Sequence, residues 1–155
     1  MKKYLKVISS VLALVGVVFM FMTQVVVKFS STITESLNVS ALVDGKYNFG
    51  TKFTGAYSGL AGYILLGVAA IILLLVAFSS IKNHDMLSVV LTGLAVIMLI
   101  VGIILIFTIR RNFMEANGLL SEQVYVGWGA ITGGVFGSLS ILSGLLSMVF
   151  DLSGN

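Results

Sequence analysis

Four long stretches almost free of ionisable side chains constrain this chain more than any other feature. They cover residues 7–27, 57–79, 87–109 and 126–150. A helix rises about 1.5 Å per residue, so roughly 20 residues traverse the about 30 Å of hydrocarbon in a bilayer. The first stretch is interrupted only by Ser9, Ser10, Thr23 and Gln24, and the second carries the phenols of Tyr57 and Tyr63. The fourth is rich in Gly and Ser but uncharged. Hydrophobic residues make up 58% of the 155 and charged ones 10%, against about 45–50% and about 25% in an average soluble domain. A water-soluble body of this size has too much surface for its volume to hide so much apolar area. The expected fold is therefore an all-α membrane protein, one integral membrane domain over residues 1–155. It is a four-transmembrane-helix bundle with a small extracellular β-hairpin in the first loop, residues 28–56.

Lys2, Lys3 and Lys6 precede the first span, which favours a cytoplasmic N-terminus by the positive-inside rule. The apolar run that follows is too long for the core of a signal peptide, and no small-x-small site follows at Lys28 to Ser31. The expectation is a retained signal anchor. That orientation puts residues 28–56 and 110–125 outside and residues 80–86 inside. Tyr57, Tyr125 and Trp128 then lie at the outer interface, where aromatic belts form. Asn83 or Asp85 is expected to cap the third helix. The plasma membrane is the expected location, and the scattered charge of +3 argues against nucleic-acid binding.

Hydrophobic periodicity changes to two in the first loop. Ile33, Leu37, Val39, Ala41 and Val43 alternate with polar residues, and Tyr47, Phe49 and Phe53 do so after Asp44-Gly45. This predicts a β-hairpin around that turn dipeptide. A three-residue turn pairs Val43 with Tyr47, Ala41 with Phe49 and Leu37 with Phe53, gathering the apolar side chains on one face. An isolated hairpin is marginal in water, so that face needs cover. Tyr47, Phe49 and Phe53 are accordingly candidate partner-binding residues. Asn38-Val39-Ser40 also matches a glycosylation acceptor.

Apolar contact gives no net drive between helices in lipid, so packing depends on small residues and a few polar contacts. Gly129, Gly133, Gly137, Ser140, Gly144 and Ser147 form one stripe in the fourth span. Ser9, Ala13, Gly16 and Thr23 do so in the first, and Ser88, Thr92, Ala95 and Gly102 in the third. The glycines at 129, 133, 137 and 144 are the candidate packing positions.

Candidate chemistry is sparse. No cysteine is present and His84 is the only histidine, beside Asp85 in a short loop. The six acids (Glu35, Asp44, Asp85, Glu115, Glu122 and Asp151) fall in loops or the tail, where solvation is expected. No nucleophile stands with a base, so the chain reads as a non-enzyme with no cofactor and no metal site. Arg110-Arg111 is the most unusual charge feature. Its simplest reading is a helix continuing past the membrane, with Arg111 paired to Glu115 at i+4; the other is a site for an anionic lipid headgroup or a partner.

Long strand-forming first external loop, tight internal hairpin, shorter second external loop: this layout resembles that of claudin-type tetraspan proteins. The resemblance is one of topology along most of the chain, since Phe29 to Thr54 holds neither the Trp nor the Cys of that family's signature. It implies four spans with strands in the first external loop. Small multidrug transporters are similar in size and span count but carry a membrane-embedded glutamate that is absent here. The expected role is a non-enzymatic multi-pass protein, an accessory subunit or self-associating scaffold that presents the hairpin to a partner. Besides the bilayer, that partner is another membrane protein or a second copy. The alternative is a small channel or transporter for an uncharged or lipidic solute.

Overall fold

In the computed structural model, residues 2–45, 52–79 and 86–153 are described. Four helices are long and apolar enough to cross a membrane: α1 (Lys2–Val18, extended by a 3-10 turn at Phe19–Phe21), α3 (Ser58–Phe78), α4 (Met86–Phe107) and α6 (Trp128–Leu152). Between them lie β1 (Val25–Lys28), β2 (Thr34–Leu37), the short α2 (Val39–Asp44), α5 (Ile109–Asn117) and β3 (Val124–Val126). The long helices run antiparallel to their chain neighbours and pack in the ring order α1, α3, α4, α6. Their inward positions are filled by Ala13, Leu66, Ala69, Leu73, Ala95, Leu99 and Ile106, all fully buried. Outward positions such as Ile64, Ile71, Ile97, Ile104 and Leu142 remain exposed, as lipid-facing surface would be.

α3 and α4 touch backbone to backbone where they cross. A Cβ on Gly62 would stand 2.7 Å from the Gly102 carbonyl oxygen. Only a residue without a side chain permits that approach.

The first span ends earlier than residue 27. After Phe21 the run Val25-Val26-Val27 forms the central strand of an antiparallel sheet ordered β2-β1-β3. β-Branched residues suit a half-buried pleated surface better than a helix. They also have partners on both sides: Val25 opposite Leu37 and Val126, and Val27 opposite Glu35 and Val124. The apolar helix correspondingly begins further toward the N-terminus and takes in Lys6.

The hairpin is also displaced. It lies at residues 25–37 rather than around Asp44-Gly45, because Val39–Asp44 is helical. Asn38 Oδ1 accepts from the Ala41 N–H at 2.9 Å and so caps the N-terminus. Gly45, at φ 66°, closes the C-terminus in the left-handed conformation with its N–H on the Ala41 carbonyl. Val39 and Leu42, three apart, are the buried pair. Two caps and a three-residue spacing outweigh the period-two alternation, and the Asn38 side chain of the glycosylation match is occupied by the cap. Tyr47 and Phe49, like the proposed Asn83 or Asp85 cap of α4, lie outside the described residues.

Candidate functional site

Three of the long helices converge on a charged cluster at the end of the bundle opposite the sheet. Lys6 of α1 is 1% exposed and Asp151 of α6 is 4% exposed. Lys6 Nζ stands 2.7 Å from Asp151 Oδ2 and donates to Ser88 Oγ of α4 at 3.0 Å. Ser147 Oγ, one turn before Asp151, is buried with no hydrogen-bond partner among the described residues. The carboxylate oxygens face the ammonium as an ion pair without hydrogen bonds of good geometry. Removing two charges from water costs several kcal/mol each, so such a pair adds little net stability, whereas stranding one member is strongly unfavourable. Chemically the cluster is an electrostatic clamp with hydroxyls around it.

From this clamp a polar seam climbs between α1 and α6. Ser143 Oγ donates to the Leu5 carbonyl at 2.9 Å. Ser9 Oγ donates to the Ser140 carbonyl at 2.7 Å, and Ser140 Oγ returns to the Ser9 carbonyl at 2.6 Å. Ser10 Oγ reaches across to the Ala70 carbonyl of α3 at 2.8 Å. Small hydroxyl residues serve two needs here: they let the backbones approach and supply bonds that lipid cannot.

The sheet end holds a second buried polar centre. Where α1 stops, its last carbonyls lose their helical partners. Gln24 Nε2 donates to the Phe19 and Met22 carbonyls at 2.7 and 3.0 Å. Tyr63 Oη of α3 donates to Gln24 Oε1 at 2.8 Å and lies 3.2 Å from the Gly129 carbonyl. Tyr63→Phe should therefore leave Gln24 Oε1 unsatisfied and cost about 1–3 kcal/mol. Thermal unfolding in mild detergent checks this against Tyr57→Phe, an exposed tyrosine whose replacement is expected to be neutral.

The residues singled out by sequence have varied places. Phe53 is half-buried and packs edge-on against Phe113 at 5.2 Å, so its ring anchors the loop to α5. Arg110 donates from Nε to the Val124 carbonyl and from Nη2 to the Ser121 carbonyl, both at 2.7 Å, tying α5 to the segment leading into β3. Arg111 Nε is 2.7 Å from Glu115 Oε1 on the exposed side of α5, and that carboxylate raises its pKa further above the ordinary value. Gly129, Gly133, Gly137 and Gly144 are all buried, facing Gln24, Tyr63, Ile103 and Val96 respectively.

Sequence reasoning missed Lys6, Asp151 and Ser88 as a group, treating Lys6 as a flanking charge and Asp151 as a solvated tail. Glu35 corrects the same expectation, being 3% exposed on the inner face of β2. A signal for the cluster was present. Extending the α1 stripe back from Ser9 reaches Lys6, extending the α6 stripe forward from Ser147 reaches Asp151, and the α4 stripe already begins at Ser88. Gln24 and Tyr63 gave no such signal, because their meeting depends on the bend into β1.

The outer face of the sheet completes the picture. Ser36, Val26 and Tyr125 lie side by side across the three strands, next to Lys28 and Thr34. All of these except the half-buried Val26 are exposed. A shallow groove beside them is lined by Lys28, Phe29, Ser30, Glu122, Gln123 and Tyr125. No family model matches this chain, and no curated protein matches it.

Proposed function

We propose that this chain is a non-enzymatic multi-pass protein of the plasma membrane, N-terminus in the cytoplasm, that presents its three-stranded sheet outside the cell to another membrane protein. One observation carries this reading. Strands from two loops nearly a hundred residues apart are joined in one sheet whose inner valines, Val25, Val27 and Val124, are buried on the bundle. The result is a braced platform with Tyr125, Ser36 and Lys28 turned outward. Exposed Tyr57 and Trp128 at the same end suit the boundary between lipid and water. In this reading the protein acts as an accessory subunit, and the platform supplies the docking face.

Affinity purification in mild detergent, with the co-purifying protein identified, tests it. Tyr125→Ser combined with Lys28→Ser, both exposed positions, should abolish co-purification while leaving the melting temperature of the isolated chain unchanged. Retained co-purification would refute the platform as docking face. A second reading, a small channel or transporter, draws on the ionisable pair within the bundle, since such groups often mark pathways. The packed interior at Leu66, Leu73, Leu99 and Ile106 favours the first. Solute flux by the purified protein alone in liposomes would support the second.

A further inference from the structure

We infer that α6 does not enter the membrane on its own, and that Lys6 of α1 is the residue that recruits it by neutralising Asp151. The inference rests on reading the four helices as spans. Of the four, α6 is the least apolar. It carries five glycines and four serines between Trp128 and Leu152, and it alone ends on a carboxylate held inside the bundle. An aspartate is most unfavourable at the centre of a span and less so toward its end, where Asp151 stands. Here, however, it is sealed inside the bundle, and glycine and serine contribute little apolar surface to offset its cost.

The compensation comes almost wholly from the other end of the chain. Lys6 supplies the counter-charge at 2.7 Å. Leu5 accepts from Ser143, and Ser9 exchanges hydrogen bonds with Ser140, along the same seam. On the opposite flank α6 meets α4 largely through apolar side chains, such as Ile103 against Gly137 and Val96 against Gly144. This close packing on small residues holds the two helices together once both are in the membrane, but it supplies no counter-charge for Asp151. α1 is thus the template, and α6 becomes a span only when it reaches that template. An ion pair placed in this way acts as an address, specifying which helix lies beside which, in addition to any stability it confers.

The chain has no cysteine, so single reporters can be introduced cleanly. Ser31→Cys marks the exposed turn between β1 and β2, and Ser153→Cys marks the exposed end of α6. Labelling intact cells with a membrane-impermeant maleimide, before and after permeabilisation, reports the side of each. In the otherwise unchanged chain the two reporters should fall on opposite sides. If they fall on the same side, the four-span reading itself fails.

In full-length Lys6→Met, the Ser31 reporter should keep its side, because Lys2 and Lys3 still precede α1. The Ser153 reporter should move to the side of Ser31, with the ratio of inserted to stranded α6 falling severalfold. Adding Asp151→Leu to Lys6→Met should restore the original side, and Lys6→Arg should never lose it. A Ser153 reporter that stays in place in Lys6→Met would overturn the inference, even if the variant were less stable. So would failure of Asp151→Leu to rescue it. Labelling does not require the variant to fold, so misfolding cannot hide either result.

Discussion

Asp151→Asn should cost the detergent-solubilised protein about 3–5 kcal/mol, because it removes a charge and leaves Lys6 buried with no counter-ion. The change is nearly isosteric, so cavity formation adds little. Lys6 is 1% exposed and its other polar contact among the described residues is the neutral Ser88 hydroxyl, which cannot balance an ammonium. For a domain of this length such a loss corresponds to a fall in melting midpoint of roughly 10 °C. Ser143→Ala gives the scale for comparison. It deletes a single bond to the Leu5 carbonyl at the same interface and should cost about 1 kcal/mol. Thermal unfolding of the two variants in one detergent decides the matter. Equal midpoints would mean that water or a headgroup reaches Lys6 and that the pair is not sealed.

Gly62→Val is expected to destabilise the bundle by about 3 kcal/mol or more, toward the upper end for overpacked sites. The added Cβ would stand 2.7 Å from the Gly102 carbonyl oxygen, 2.9 Å from Ile106 Cγ1 and 3.3 Å from the Ile106 nitrogen. Two of those three are backbone atoms of α4, which cannot rotate aside, so the helices must separate. Gly144→Ala is the mild counterpart. Its Cβ would meet Val96 Cγ2 at 3.0 Å and Ser9 Oγ at 3.3 Å, both side-chain ends that can shift. Gly133→Leu lies between them in mechanism: it would press on the Tyr63 hydroxyl at 2.7 Å and break the bond to Gln24. Unfolding midpoints in the order Gly62→Val lowest, then Gly133→Leu, then Gly144→Ala are the expected result. A Gly62→Val protein as stable as Gly144→Ala would show that α3 and α4 do not cross at this distance.

How much of this was legible follows from the range over which each signal acts. The existence, number and approximate extent of the apolar helices are properties of composition over about twenty residues, and residues 57–79 and 87–109 match α3 and α4 to within two residues at each end. Some strand-forming structure in the first loop was legible from its alternation, but its position was not. Val25–Val27 reads as a continuation of an apolar helix until β2 and β3 flank it, and β3 lies about a hundred residues away. Val39–Val43 reads as a strand until both of its caps are counted. At the candidate site, the glycines of α6 could be read from their spacing. The small-residue stripes reach Lys6 and Asp151 and mark each as facing inward, but no local rule says that the two meet.

Sequence alone determined that this chain must place four helices' worth of apolar surface out of water, and that small residues line at least one of them. Those are sums over local segments, and the hydrophobic effect responds to such sums regardless of what packs against what. Only the tertiary structure decided which polar groups would be buried. Whether Lys6, Asp151, Gln24, Tyr63 and Glu35 face water or the interior depends on the neighbour each helix and strand finds. Burying a polar group is costly unless a partner satisfies it, and for Lys6, Asp151 and Tyr63 that partner comes from elsewhere in the chain.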